Sequence, residues 1–195
     1  MNRLARMVVI GVGLIGALLA SSTTAFAQPS DSRPNHVGTQ VMLNSPPPDP
    51  YTKFHIHNMG DAVNKCVGIS GYQAGNWDCA DGPDQRWHTT DCLAWVGEQF
   101  CHYVNDNGQC LAVAGGSTAN AALIWGWNCV YGEGAANQYW RPDYEEISGL
   151  AHLANMGTYL DGMVLGVWGG STDNGARLVQ YTQIPGAINQ YWSLY

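Results

Sequence analysis

Six histidines, six cysteines and 15 acidic residues are the groups in this 195-residue chain that could carry acid–base, nucleophilic or metal chemistry. His55, His102 and His152 recur at matching places and resemble a ligand set, while His55-x-His57 puts two imidazoles on one strand face. In period-2 strands, however, the three alternate with Phe54 and Ile56, Cys101 and Tyr103, and Ala151 and Leu153, which should face a core. The imidazoles are therefore expected to diverge outward. Two histidines also fall short of the three protein ligands of a catalytic zinc site, so no metal is expected. Glu145 and Glu146 are sequence neighbours that would point to opposite faces of a strand, and they read as a solvated loop rather than an acid–base pair. Gly11-Val12-Gly13-Leu14-Ile15-Gly16 has the spacing of a dinucleotide-binding turn but lies in an apolar N-terminal run with no strand before it. Neither a reaction nor a cofactor is expected.

The elements that must position any site follow from an internal repeat. Asp84-Gln85-Arg86-Trp87, Asn137-Gln138-Tyr139-Trp140 and Asn189-Gln190-Tyr191-Trp192 place tryptophans 53 and 52 residues apart, the signature of repeated supersecondary units. Upstream, Phe54 to Asn58, Cys101 to Asn105 and Ala151 to Asn155 share His and Asn at matching offsets, and a Gly follows each Asn within a few residues. That order reads as strand, turn, strand. Gly-Gly-Ser-Thr at 115–118 and again at 169–172 lacks the Gly-Lys of a phosphate loop and reads as a flexible hairpin turn. Three units are expected, at about residues 51–97, 98–147 and 148–195. Leu, Ile and Phe are sparse while Gly, Trp and Tyr are abundant, and apolar runs are short and closed by Gly, Asn and Asp. This is an all-β composition with helix nearly absent.

Arg3 and Arg6 precede an uncharged apolar run from Met7 to Ala20, and Ala25-Phe26-Ala27 supplies a small-x-small cleavage pattern, so residues 1–27 read as a secretory signal peptide. Fourteen apolar residues are too few for the roughly 20 of a membrane span. A secreted, extracellular, soluble protein is expected, with no membrane partner. Residues 28–50 hold Pro29, Pro34, Pro46, Pro47, Pro48 and Pro50 and should be an extended, disordered leader. Losing Arg3 and Arg6 leaves six basic residues against 15 acidic ones, a formal −9 that repels phosphate backbones, so nucleic acid is not an expected partner. Six cysteines in an exported chain imply three disulfides with 15 possible pairings. Cys66 and Cys110 match between units, and Cys79 and Cys129 each end a Trp-x-Cys segment. The expected pairs are Cys66 with Cys79, Cys110 with Cys129, and Cys92 with Cys101.

Three units of about 50 residues, each ending in Gln-x-Trp and two carrying a Cys followed by Trp-x-Cys, resemble the ricin-type lectin repeat and the related family 13 carbohydrate-binding modules. The resemblance covers residues 51–195. It implies a β-trefoil, a six-stranded barrel capped by three hairpins, with Trp87, Trp140 and Trp192 in the core. It also implies a sugar site in each unit: a carboxylate two residues after the first Cys position, a stacking aromatic just before the second, and Asn or Asp before the Gln. Counted from Tyr159 and Gln183, which stand for the missing cysteines, the third unit alone keeps the set. Asp161 is the expected acceptor, Tyr181 the stacking ring, Asn189 a hydroxyl ligand and Gln190 a support for the Asp161 carboxylate, with Trp168 a further candidate ring. The first unit retains Trp77, Asp84 and Gln85 and the second Trp127, Asn137 and Gln138, but Gly68 and Ala112 replace the carboxylate, so both read as degenerate. The expectation is a monomeric, secreted, lectin-like protein that binds galactose-like or xylan-like glycans through the third unit without catalysis. The alternative is a trefoil scaffold with decayed sugar sites that binds or inhibits another protein.

Overall fold

The computed structural model describes residues 52–60, 64–146 and 148–195. The expected signal peptide at 1–27 and proline-rich leader at 28–50 lie outside the described residues. Among the described residues the regular elements are twelve strands and five short 3-10 turns, and no helix is long and apolar enough to cross a membrane.

Each unit supplies four strands. The first gives β1 (Ile56–Asn58), β2 (Lys65–Ser70), β3 (Gln73–Asp78) and β4 (Trp87–Trp95), and the second β5 (Glu98–Asn105), β6 (Gln109–Val113), β7 (Ala122–Asn128) and β8 (Tyr139–Tyr144). The third gives β9 (Ala151–Asn155), β10 (Met163–Val167), β11 (Ala176–Thr182) and β12 (Trp192–Leu194). Outer strands of the units pair in the order β1-β12-β9-β8-β5-β4. Reciprocal bonds between Phe54 and Trp87, 2.9 and 2.8 Å, return the ring to its start. Closure of six strands leaves no open edge for another chain. The inner strands form the hairpins β2–β3, β6–β7 and β10–β11, and β3, β7 and β11 pair with one another. The fold is a β-trefoil, stabilised by disulfides.

The Gln-x-Trp motif is what holds barrel to hairpins. Trp87, Trp140 and Trp192 are all 0% exposed, and their indole N–H groups donate to the carbonyls of Val67, Leu111 and Leu165 at 3.0, 2.7 and 3.0 Å. A large ring buried with its one donor satisfied contributes apolar area without an unpaired polar group. The adjacent glutamines act identically. Each side-chain oxygen accepts from a backbone N–H (Ala80, Val130, Ile184) and each amide donates to a carbonyl (Asp78, Asn128, Thr182), all within 2.7–3.1 Å. Those bonds clamp the segment that leaves each hairpin.

Three disulfides form, Cys66–Cys79, Cys92–Cys101 and Cys110–Cys129. Lys65, buried, bonds Asp78 at 2.7 Å and Asn174 at 2.8 Å and so ties the first hairpin to the third. Both Gly-Gly-Ser-Thr segments form the expected turns, each opening with a short 3-10 turn. Gly115 and Gly116 stand at φ +60° and +65°, and Gly169 and Gly170 both at +63°, a left-handed pair that residues with a Cβ avoid.

His55, His102 and His152 turn away from the core face as the alternation requires, His55 half-buried, but outward does not mean solvent-facing. His57, His102 and His152 are buried, His102 against Tyr139 at 4.0 Å and His152 against Tyr191 at 4.2 Å between ring centroids. Strand alternation turned them away from the Phe54 and Leu153 face, but the tyrosine inside Gln-x-Trp covers the second and third, and Tyr195 stacks on His57 at 4.1 Å.

Candidate functional site

Two independent observations fix which third-unit residues correspond to the sugar-site positions. Cys66 pairs with Trp77 and Cys110 with Trp127 across their hairpins, and in the third hairpin Val164 pairs with Tyr181. The buried tryptophans bond the residue following each of these, Val67, Leu111 and Leu165. Val164 therefore stands at the first Cys position, and the acceptor position two residues later is Gly166. It matches Gly68 and Ala112.

Asp161 is five residues out of register. From the shared Asn to the Cys position the chain runs five residues in the second unit (Asn105 to Cys110) and nine in the third (Asn155 to Val164). The 3-10 turn Met156–Asp161 absorbs the difference and ends at Gly162, φ +66°. Tyr159, counted as the Cys substitute, instead packs against Phe100 at 5.1 Å and Trp95 at 6.4 Å beneath the barrel, with the Arg141 guanidinium 5.6 Å from its ring centre. Asp161 is exposed, and its side chain makes no hydrogen bond among the described residues. Nor does Gln190 support it: both ends of that amide are committed to Ile184 and Thr182.

The other third-unit residues do converge. Tyr181 on β11 and Trp168, in the turn after β10, have ring centroids 6.4 Å apart, inclined at 62°, and Trp168 is 52% exposed. The Asn189 amide donates to Val167 O at 2.8 Å, so its Oδ1 remains as an acceptor beside the turn that carries Trp168. Gly166 lies behind them, with Gln190 Cγ 3.1 Å from where its Cβ would be. The arrangement offers two ring faces and one neutral amide oxygen, suited to the apolar face and hydroxyl rim of a neutral ligand.

In the second unit Asn137 likewise donates to Val113 O at 2.9 Å, Gln138 clamps backbone, and Trp127 is 43% exposed. In the first, Asp84 replaces the asparagine and has no proton for that bond. Its Oδ2 lies 3.1 Å, and Trp77 Cδ1 3.0 Å, from the point a Cβ on Gly68 would occupy. The Trp77 ring lies over Gly75 and Gly175, so close that a Cβ on either would meet it at 2.8–2.9 Å. That indole is therefore a packing element.

A cleft of about 150 Å³ between the first Gly-Gly-Ser-Thr turn, at 115–118, and Asn155 to Thr158 is lined by small and neutral polar residues without an aromatic ring. His57 with Cys66 and Cys79, and His102 with Cys110 and Cys129, are the metal-like groupings among the described residues, but their sulfurs are bonded to each other and offer no thiolate. Burial lowers the pKa values of both histidines, with the neighbouring His55 adding to the shift at His57 and Asp91 opposing it at His102.

Residues 102–181 match the ricin-type β-trefoil lectin domain-like family. Among solved structures, the chain is similar to a designed three-fold symmetric protein, ThreeFoil, with a TM-score of 0.61 and 23% identity over 73% of this chain and 96% of that one. It also resembles a ricin B-like lectin of Macrolepiota procera solved with lactose, at TM-score 0.59 and 16% identity over 75% and 96%. An exo-β-1,3-galactanase of Clostridium thermocellum aligns at TM-score 0.62 and 20% identity over 76% of this chain but 31% of the enzyme. No curated protein sequence matches significantly.

Proposed function

We propose, for a chain whose residues 102–181 match the ricin-type β-trefoil lectin domain-like family, that it is a secreted, monomeric protein that binds neutral glycans noncovalently and catalyses no reaction. The third unit is the binding unit, with Trp168 and Tyr181 as the rings and Asn189 Oδ1 as an acceptor. The observation that carries this reading is the exposed Trp168 beside Tyr181 at the mouth of a hairpin whose amide clamp is intact. Galactose-like and xylan-like sugars are the ligands to try, since the similar Macrolepiota lectin was solved with lactose. Three disulfides among the described residues accord with an oxidising compartment. A glycan array compares wild type with Trp168→Ala. Loss of the wild-type signals in the variant is expected, and equal binding by both removes the assigned site.

One observation favours the scaffold reading. Gly68, Ala112 and Gly166 leave all three acceptor positions without a carboxylate of their own, and only the first has one beside it, that of Asp84. Wild type that binds nothing on the array, yet retains one partner protein from its source, supports a trefoil scaffold.

A further inference from the structure

Departures from the threefold pattern gather at one place outside the third unit. Corresponding positions on the inner hairpin strands hold Gly75, Trp125 and Val179, set by the pairings of Gly68, Ala112 and Gly166, so only the second unit carries an indole there. Trp125 and Trp127, two apart on β7, share its outer face, with ring centroids 5.9 Å apart and planes 31° from parallel. Between them Gly126 faces inward, and Ile69 Cγ2 stands 2.6 Å from where its Cβ would be. The first unit is the short one, with 21 residues from Cys66 to Trp87 against 30 from Cys110 to Trp140. It has a tight turn where the others have Gly-Gly-Ser-Thr, and this turn brings Tyr72, 66% exposed, to 5.4 Å from Trp127.

The backbone beneath the three rings is tied across the two units. Gly126 N donates to Tyr72 O at 2.8 Å, the Gln109 amide donates to Gly71 O at 3.0 Å, and Gln73 pairs with Trp125 across β3 and β7. A surface whose backbone is fixed in this way loses little freedom on binding. The neutral amides of Gln73, Gln109 and Asn128 border it on β3, β6 and β7. The chain carries a formal charge of −7, which disfavours an anionic polymer. Stacking faces bordered by amides match a neutral polyhydroxylated ligand.

We propose that Tyr72, Trp125 and Trp127 form a second glycan-contacting surface, bridging the first and second units, that takes an extended run of a neutral polysaccharide rather than a single terminal sugar. One pyranose covers one ring face, so three adjoining faces require several linked sugars. The inference rests on the reading of the protein as a glycan binder, and uses a different surface from Trp168 and Tyr181.

The test measures affinity of the full chain for soluble xylan and β-1,3-galactan, and for xylobiose and lactose, in wild type, Tyr72→Ala, Tyr72→Phe, Trp125→Ala and Trp168→Ala. Tyr72→Ala and Trp125→Ala are each expected to weaken polysaccharide binding about three- to tenfold, the range of one ring contact, while disaccharide binding stays unchanged. Tyr72→Phe should retain wild-type affinity, since the face and not the hydroxyl is used. Polysaccharide binding unaffected by both alanine variants overturns the inference; if Trp168→Ala still abolishes disaccharide binding, the reading beneath it survives. Wild type that binds none of the four probes overturns both. Concentration-dependent dimerisation that Tyr72→Ala abolishes would assign the rings to a second copy of the chain and also refute the proposal.

Discussion

Gly166→Asp separates the two ways of counting the third unit. By the pairing of Val164 with Tyr181 and the Trp192 bond to Leu165 O, residue 166 is where an acceptor carboxylate belongs, and Asp161 is a surface residue at the end of a 3-10 turn. The backbone at Gly166 is not left-handed, and its Cβ would lie 3.1 Å from Gln190 Cγ, so the glutamine must yield by a few tenths of an ångström. A new carboxylate behind Tyr181 and Asn189 gives charge-assisted hydrogen bonds to neighbouring hydroxyls, worth about 1.5–3 kcal/mol. That corresponds to about 10- to 150-fold in Kd, each tenfold being about 1.4 kcal/mol. In the free protein the same group is an uncompensated, poorly solvated charge, so the midpoint of thermal unfolding should fall. Gly166→Ala isolates the crowding of Gln190. Titration calorimetry with lactose and xylobiose should rank Gly166→Asp tightest, with Asp161→Ala equal to wild type. If Gly166→Asp binds no better than Gly166→Ala while Asp161→Ala loses affinity, the register argument is wrong and Asp161 is the acceptor after all.

Two stability predictions follow from the same geometry. Replacing both cysteines of a pair by alanine should cost roughly 2–4 kcal/mol in chemical denaturation. Loops of 19 and 9 residues make Cys110–Cys129 the more stabilising of those two bonds by about 0.7 kcal/mol if restriction of the unfolded chain dominates, and a reversed order refutes that account. Burial lowers the His102 and His57 pKa values, so the unfolded chain takes up protons first as pH falls. Stability is therefore complete above the unfolded histidine pKa of about 6.5 and declines below it. Asp78 and Asp106, held low by Lys65 and by Lys53 with Arg86, contribute above the unfolded carboxylate range and lose that contribution only as pH falls further. Melting temperatures from pH 8 to 5 should show a shallower slope in His102→Phe than in wild type, and parallel slopes refute the assignment.

The parts of this fold that were legible in the sequence are those in which one residue type solves the same local problem three times. Gln85, Gln138 and Gln190 clamp equivalent loops, and Trp87, Trp140 and Trp192 bond equivalent carbonyls, so the motif and its burial could be recognised together. Both repeat-matched disulfides were legible for the same reason. The third-unit register was hidden because Tyr159 offered an aromatic at almost the right offset, whereas its ring belongs to the cluster of Phe100 and Trp95. What would have exposed the slip was the Gly-Gly-Ser-Thr segment, whose second copy, counted back, already puts Gly166 opposite Ala112. The histidine burial depends on Tyr139, Tyr191 and Tyr195, partners contributed from distant parts of the chain. Trp125 was visible as the alternate neighbour of Trp127, but Tyr72 meets that ring only because two units pack side by side.

What repeats and what varies also bears on how binding is divided. The clamp and the buried indoles cannot change without leaving buried polar groups unpaired, so all three units keep them. The outer hairpin positions carry no such constraint, and there the units differ: Trp77 lies flat over glycines, Trp127 stands out beside Trp125 and Tyr72, and Tyr181 is joined by Trp168. A missing carboxylate removes about 1.5–3 kcal/mol from a sugar contact, and one ring pair restores only about 0.5–1.5 kcal/mol. On the glycan-binding reading, units that lack this carboxylate, the second and the third, need several rings in contact with the same ligand to reach comparable affinity. Clusters of two and of three rings provide that, and they favour a ligand long enough to cover more than one ring.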